Sequence, residues 1–409
     1  MFYSLLKNVY VVYGAVKSCI YDFNNSKLYH INNTLSEVLR NVINGDIKVV
    51  DTKSELLSLL ASFEELRLIE KVAELRQNNI SEICNNNISC HFAWIEITNK
   101  CNMKCLHCYN ELESKRDFKI MSLDNYKLVV NSLLKAKIQR IQIIGGEPFF
   151  NGVMLKNMLD YTVGKFDFIE IFTNGTLISD DWFKYLADNE IHIALSVYSY
   201  EPCIHDKVTR CNGSHRKTTI TIRKLKEWGI CYRVCNVLMK DVPLGAPNSE
   251  FYKLNSNKDV VRMVGRADFS LLSDELIKKK LITKETFKKP ITKEFCSRAV
   301  GGHNCFQDKV YISADMIVFP CVMERRVNYG VIDESLEIRF NDKIRKFNKD
   351  MVDECAECEF RYACFDCRPD SLSGDFKEKP WYCTYMPKLG KWSDIDEFIY
   401  NIKKKWGSI

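Results

Sequence analysis

Cys101-Asn102-Met103-Lys104-Cys105-Leu106-His107-Cys108 sets three thiols within eight residues, directly after the apolar run Phe92 to Thr98. Three thiolates can hold a metal ion or an iron–sulfur cluster and leave one coordination position open, whereas a four-thiolate site is closed and chiefly structural. Phe92 to Thr98 reads as a strand, which puts the triplet on a loop at a strand's C-terminal end. From there strands and helices alternate. The strands are Arg140 to Ile144, Phe168 to Thr173, His192 to Val197, Ile230 to Leu238 and Val260 to Val264. Helices fall at Asp124 to Lys135, Val153 to Val163, Asp180 to Asn189 and Lys217 to Trp228. This is the pattern of a parallel α/β sheet. Gly145-Gly146-Glu147-Pro148 follows the second strand, Thr173-Asn174-Gly175 ends the third and Ser196 ends the fourth. The unusual residues therefore gather at C-terminal strand ends, the functional face of βα barrels.

The chain has 409 residues, enough for two or three domains at roughly 150 residues each, and its 46% apolar content suffices for real cores. Eighteen cysteines in a chain this long, most of them tightly spaced, suit metal sites in a reducing, oxygen-poor interior better than a disulfide scaffold. The apolar run Val9 to Val16 is short, rich in aromatic and β-branched residues and followed by Lys17, so it reads as a strand. No apolar run approaches the ~18 residues of a membrane span, and a cytoplasmic location is expected. The net charge of +6 is dispersed in mixed-sign sequence, which disfavours nucleic acid as a partner.

Residues 1–85 form a module of their own: strands at Asn8 to Ile20 and Ser26 to Ile31, then helices at Leu35 to Val42, Lys53 to Phe63 and Phe63 to Leu75. Its functions are either to cap the next domain or to take a peptide as an added strand. Asn78 to Asn87 reads as a linker. Lys278 to Lys289 is a lysine-rich helical segment. Beyond it come Cys296, Cys305 and Cys321, then Cys355-x2-Cys358-x5-Cys364-x2-Cys367, and Cys383. Eight cysteines equal two four-thiolate clusters. The five-residue gap is far shorter than the ~15–20 of a zinc ribbon, which favours iron–sulfur. Cys19, Cys84, Cys90, Cys203, Cys211, Cys231 and Cys235 lack such spacing and read as small buried hydrophobes. His107 reads as a spacer between ligands.

The spacing of Cys101, Cys105 and Cys108, with Tyr109 next, resembles the CxxxCxxC signature of the radical S-adenosylmethionine (SAM) superfamily, and Gly145 to Pro148 resembles its GGEP motif. The resemblance implies a partial (β/α)6 barrel over 86–290. It also implies a [4Fe-4S] cluster whose open iron takes the amino and carboxylate groups of SAM, yielding a 5′-deoxyadenosyl radical. By the same resemblance Gly145, Gly146, Glu147, Pro148, Thr173, Asn174, Ser196 and Arg210 face SAM. The cysteine-rich segment 291–395 resembles the SPASM extension of peptide-modifying members, particularly maturases of grasp-with-spasm systems. That implies two auxiliary [4Fe-4S] clusters, one on Cys296, Cys305, Cys321 and Cys367, the other on Cys355, Cys358, Cys364 and Cys383. Three features depart from the family pattern: Met316 stands where Gly is usual, the last cysteine pair is spaced by two residues where three is usual, and the Cys296–Cys305 gap is long. Residues 396–409 are expected to form a terminal helix.

Members with this extension generally modify ribosomally made peptides, forming thioether, carbon–carbon or ether crosslinks or oxidising side chains. Module 1–85 resembles the winged-helix element that binds leader peptides in them. The expected partners are a precursor peptide and a low-potential donor such as flavodoxin or ferredoxin. A sulfatase-type formylglycine maturase is the second enzyme reading; there an aspartate follows the cysteine equivalent to Cys321, and here Val322 stands in its place. An electron carrier or zinc-stabilised binding protein is the reading of another class.

Overall fold

Each strand of the central α/β region pairs with the next in the chain. The computed structural model describes residues 2–46, 54–84, 89–110, 118–247, 256–365, 367–372 and 374–406. Its contacts divide the chain into two units, one of Met1–Ile88, Leu281–Asn304 and Lys346–Phe398, the other of Ser89–Lys280, Cys305–Arg345 and Ile399–Ile409. The grouping cuts across the boundaries 85, 290 and 395 drawn from sequence.

In the second unit β1 (Phe92–Thr98), β2 (Arg140–Gly145), β3 (Phe168–Thr173), β4 (His192–Ser196), β5 (Tyr232–Leu238) and β6 (Ser256–Val260) run parallel in chain order. On the other side of β1 lie β7 (Lys309–Ile312), also parallel, and β8 (Val318–Phe319), antiparallel to β7. The chain thus builds the expected partial (β/α)6 barrel. Its helices are α1 (Leu123–Lys135), α2 (Gly152–Thr162), α3 (Asp180–Asp188), α4 (Pro202–Thr209) and α5 (Ser214–Glu227). Ser122 Oγ accepts from Asn125 N at the start of α1, leaving the first turn capped. The helix stops where Lys137 turns left-handed at φ +59° and Ile138 N bonds Leu133 O.

Strand register sorts the side chains by face. Trp94, Glu96, Gln142, Ile144, Glu170, Phe172 and Tyr311 share one side of the sheet; Ile95, Ile97, Ile143, Ile171 and Leu195 share the other. The first side is partly polar: Glu170 accepts from Gln142 and, at 2.8 and 2.9 Å, from Arg233.

The sixth strand lies at Ser256–Val260 and not at Val260 to Val264. Val264 and Ala267 instead close turns onto Arg262 and Val264, around Gly265 at φ +66°. A helix expected over Lys278 to Lys289 is Asp274–Lys280 followed by a 3-10 turn at Lys284–Lys288.

In the first unit, Phe2–Leu5 pairs with Ile69–Val72, while Val9–Tyr13, Ser18–Asp22 and Lys27–Ile31 form an antiparallel sheet, with helices Asn33–Asn44 and Ser54–Glu65. Two expectations fail here. The single strand Asn8 to Ile20 is two strands, folded at Gly14, whose N–H bonds Lys17 O at 2.8 Å. The expected third helix, Phe63 to Leu75, is replaced by the strand Ile69–Val72: Arg67 turns left-handed at φ +56° and Leu68 N bonds Phe63 O, ending the preceding helix before Ile69. Tyr3, Leu5, Ile20, Leu39 and Leu60 fill the core beneath. A second core joins Tyr10, Cys19 and Tyr21 to Cys296, Phe360 and Tyr385, so N-terminal and cysteine-rich segments share one interior. The terminal helix is Ile395–Trp406. Among the described residues, no helix is long and apolar enough to cross a membrane.

Candidate metal centre

The Cys101–Cys108 loop leaves β1 at its C-terminal end and is fastened by backbone. Lys104 N and Leu106 N donate to Thr209 O and Val208 O, the last residues of α4. Asn102 is held on both sides, donating to Thr176 Oγ1 at 2.9 Å and accepting from Asn174 Nδ2 at 2.8 Å. Met103 N points at Cys101 Sγ, 3.4 Å away. Cys101 is exposed, Cys105 and Cys108 half-buried. Burial pushes the Cys105 thiol up to about 12, and negative charge on Cys108 adds to the shift; burial also raises Cys108. The three thiols therefore sit within electrostatic reach of one another, with a vacant demand for positive charge that a metal centre meets.

Gly145 and Gly146 are required by what lies against them. A Cβ on Gly145 would stand 2.2 Å from Thr98 O, and one on Gly146 would stand 2.1 Å from Lys100 O. In that space Gly146 N bonds Thr98 O and Glu147 N bonds Lys100 O, each at 2.7 Å. The glycine pair thus splices the end of β2 to the root of the cysteine loop. Glu147, fully buried, accepts from Thr173 Oγ1 (2.6 Å), Asn174 N (2.8 Å) and Phe149 N (3.1 Å). Burial outweighs those bonds and lifts its carboxyl to about 7.

Thr173 and Asn174 are thereby brought to the cysteine loop. Ser196 ends β4 two residues before Tyr198, which lies within electrostatic range of Cys105. Arg210 is exposed, with φ +53°, one residue after the carbonyl that holds Lys104. His107 is half-buried edge-on to Tyr198, ring centroids 4.6 Å apart, and desolvation holds its pKa down at about 4. Sequence reasoning missed Gly265 and Arg266. Arg266 N bonds Cys108 O at 3.1 Å and its Nη1 reaches Cys105 O at 3.3 Å, while a Cβ on Gly265 would stand 2.3 Å from Cys108 O. The signal was available: both follow the sixth strand at its C-terminal end.

In the other unit Cys355, Cys358, Cys364 and Cys383 line one cavity with Lys349, Lys379, Phe360 and Tyr385. Burial lifts Cys383 to about 11, opposed by the two lysines. Of the remaining four, Cys305 and Cys321 interact electrostatically, and Cys296 is fully buried in the core that holds Cys19 and Tyr21. Among the cysteines read as small hydrophobes, Cys19 and Cys90 are buried, whereas Cys203 and Cys231 are exposed, one in the first turn of α4 and one just before β5. Among the described residues no three His, Cys, Asp or Glu side chains converge closely enough for a single metal ion. Three thiols on a loop, and four around one cavity, are donor sets that suit iron–sulfur ligation.

Residues 95–241 match the family model of the Radical SAM superfamily. The subtilosin biosynthesis protein AlbA of Bacillus subtilis is 32% identical over 144 residues, which is 35% of this chain and 32% of AlbA. The PqqA peptide cyclase of Rhodopseudomonas palustris is 28% identical over 135 residues, 32% of this chain and 35% of the cyclase. The chain thus spans about a third of the length of these relatives. In fold it resembles Streptococcus suis SuiB bound to precursor peptide SuiA, with a TM-score of 0.52 at 12% identity over 91% of this chain and 97% of that one. It also resembles anSMEcpe with bound AdoMet, with a TM-score of 0.51 at 15% identity over 77% and 97% of the respective chains.

Proposed function

We propose, from the match of residues 95–241 to the Radical SAM superfamily model, that the chain is a SAM-dependent maturase of a ribosomally made peptide. The observation that carries this reading is the cysteine triplet at the end of β1, spliced by backbone to the Gly145-Gly146-Glu147 turn. Cys101, Cys105 and Cys108 would hold a [4Fe-4S] cluster. Gly145 to Pro148, Thr173, Asn174, Ser196 and Arg210 would surround SAM. Cluster and SAM together supply hydrogen-abstracting radical chemistry. The protein's own part is to fix the loop through Gly146, Glu147, Asn102 and Arg266, and to keep the Tyr198 hydroxyl near Cys105, where it can donate to the sulfur.

Four thiols around one cavity support an auxiliary cluster on Cys355, Cys358, Cys364 and Cys383. Cys296, Cys305, Cys321 and Cys367 complete the proposal with a second. PqqA peptide cyclase, named for the peptide it cyclises, and AlbA, named for biosynthesis of the bacteriocin subtilosin, support a peptide substrate. Its leader would dock on 1–85, with electrons from a flavodoxin or ferredoxin in an oxygen-poor cytoplasm. Val322, packed with the apolar group of Ile144, Tyr311 and Phe319, offers no base for formylglycine formation.

Anaerobic reconstitution tests the reading. Iron and sulfide for three clusters, reductant-dependent 5′-deoxyadenosine, and a mass change in a coexpressed small peptide encoded beside the gene are expected. Cys105→Ala should abolish SAM cleavage and leave the auxiliary iron, whereas Cys358→Ala should remove about a third of the iron. Stoichiometric zinc without SAM cleavage would sink it.

A further inference from the structure

Beyond the cysteine loop, the partly polar face of the barrel holds a cation with no use for its donors. β8 ends at Phe319, and after Cys321 a turn closed by Glu324 N on Cys321 O brings the chain back over the sheet. There the Arg325 guanidinium lies 3.8 Å from the Tyr311 ring centroid and 4.9 Å from that of Phe319. Its Nε, Nη1 and Nη2 are all buried, and among the described residues none makes a hydrogen bond.

The acids that could serve it are engaged elsewhere. Glu324 is taken by Arg326, through Nη2 at 2.6 Å and Nε at 2.9 Å. Glu96 accepts from Tyr311 Oη at 2.7 Å and Ala314 N at 3.3 Å, and Glu170 accepts from Arg233. Ring faces attract a cation but accept none of its fork of N–H donors in line. Leaving a buried guanidinium's donors unmet is costly, so it gains strongly from an external acceptor, and a planar carboxylate matches the fork with two parallel bonds. The site also faces the chemistry: Tyr109, which follows Cys108, lies within electrostatic range of Glu96, Arg325 and Cys101 together.

We propose that Arg325 is a carboxylate clamp inside the barrel, taking an acidic side chain or C-terminal carboxylate of the substrate peptide and so fixing which residue reaches the cysteine loop. The proposal rests on the peptide-maturase reading above and names a specificity determinant within it. The methionyl carboxylate of SAM carries the same chemistry and is distinguished by the test.

Reconstituted holoenzyme is titrated calorimetrically with acetyl-Gly-Glu-Gly-amide, acetyl-Gly-Gln-Gly-amide and, separately, SAM. Wild type should bind the Glu peptide at least about tenfold more tightly than the Gln peptide, the loss expected for a charge-assisted bidentate pair. Arg325→Gln should erase that difference, and Arg325→Lys, which keeps the charge without the fork, should restore part of it. If Arg325→Gln instead weakens SAM about tenfold and leaves the peptide preference intact, the peptide assignment is overturned in favour of SAM's carboxylate. Equal binding in every arm, with iron content normal in both variants, overturns the clamp altogether. Failure of wild type to release 5′-deoxyadenosine would count against the radical SAM reading and leaves a distinct signature from either result.

Discussion

Thr173 Oγ1 donates a 2.6 Å hydrogen bond to Glu147 Oε1, tying the end of β3 to the turn that follows β2. The carboxyl it serves is fully buried and lifted from an ordinary 4.5 to about 7. A raised carboxyl favours the folded state when protonated, so this contribution is fully present below about pH 4.5 and lost as pH rises through about 7, roughly 3 kcal/mol in all. Urea unfolding of the cluster-free chain should therefore show wild type losing stability relative to Glu147→Gln between pH 5 and 8. A pH-independent difference between the two would refute the assignment.

Gly146→Ala sets a methyl group 2.1 Å from Lys100 O, and backbone on both sides must move. Displacement of the cysteine loop by about 1 Å should lower SAM cleavage by around 100-fold. Iron on the distal cysteines should persist. An active Gly146→Ala enzyme would show that the splice to the loop does not set its geometry.

The Tyr198 hydroxyl lies near enough to Cys105 to ease ionisation of its thiol, and a hydroxyl donating to a cluster sulfur favours the reduced, more negative state. Tyr198→Phe should make the potential more negative by roughly 20–60 mV, the equivalent of one net hydrogen bond. An EPR-monitored redox titration reads this directly. An unchanged or more positive potential would contradict it.

Met316 occupies a left-handed turn at φ +62°, with its N–H bonded to Ser313 O at 2.8 Å. The conformation costs a side-chain-bearing residue about 1–2 kcal/mol and glycine almost nothing. Met316→Gly should raise stability by about 1 kcal/mol in urea unfolding. A loss of stability would mean that the methionine side chain supplies packing that outweighs the backbone strain.

The barrel was legible because parallel strands buried on both faces and separated by periodic helices announce themselves, and because their C-terminal ends carry the rare residues. Val260 to Val264 misled because only Val260 lies in the strand, while Val264 belongs to the turn that docks Gly265 on Cys108. Phe63 to Leu75 has helical spacing throughout, and the left-handed Arg67 that ends the helix is not a residue type that signals a stop. Arg325 was invisible for another reason: its character comes from Glu324 choosing Arg326, a partition that spacing does not encode.

The first unit's second core has a consequence for how the chain is made. Tyr21 Oη donates to Glu359 O across 338 positions, and His30 Nε2 meets Glu359 Oε1 at 2.6 Å. The strands Val9–Tyr13 and Ser18–Asp22 leave the ribosome long before residue 359 exists. One face of the N-terminal sheet must therefore wait, apolar and uncovered, while the barrel strands emerge, and the loop it finally closes is among the longest the chain permits. Completion of this unit is thus a late event of biosynthesis, and a ribosome stalled before the cysteine-rich segment would leave an aggregation-prone sheet.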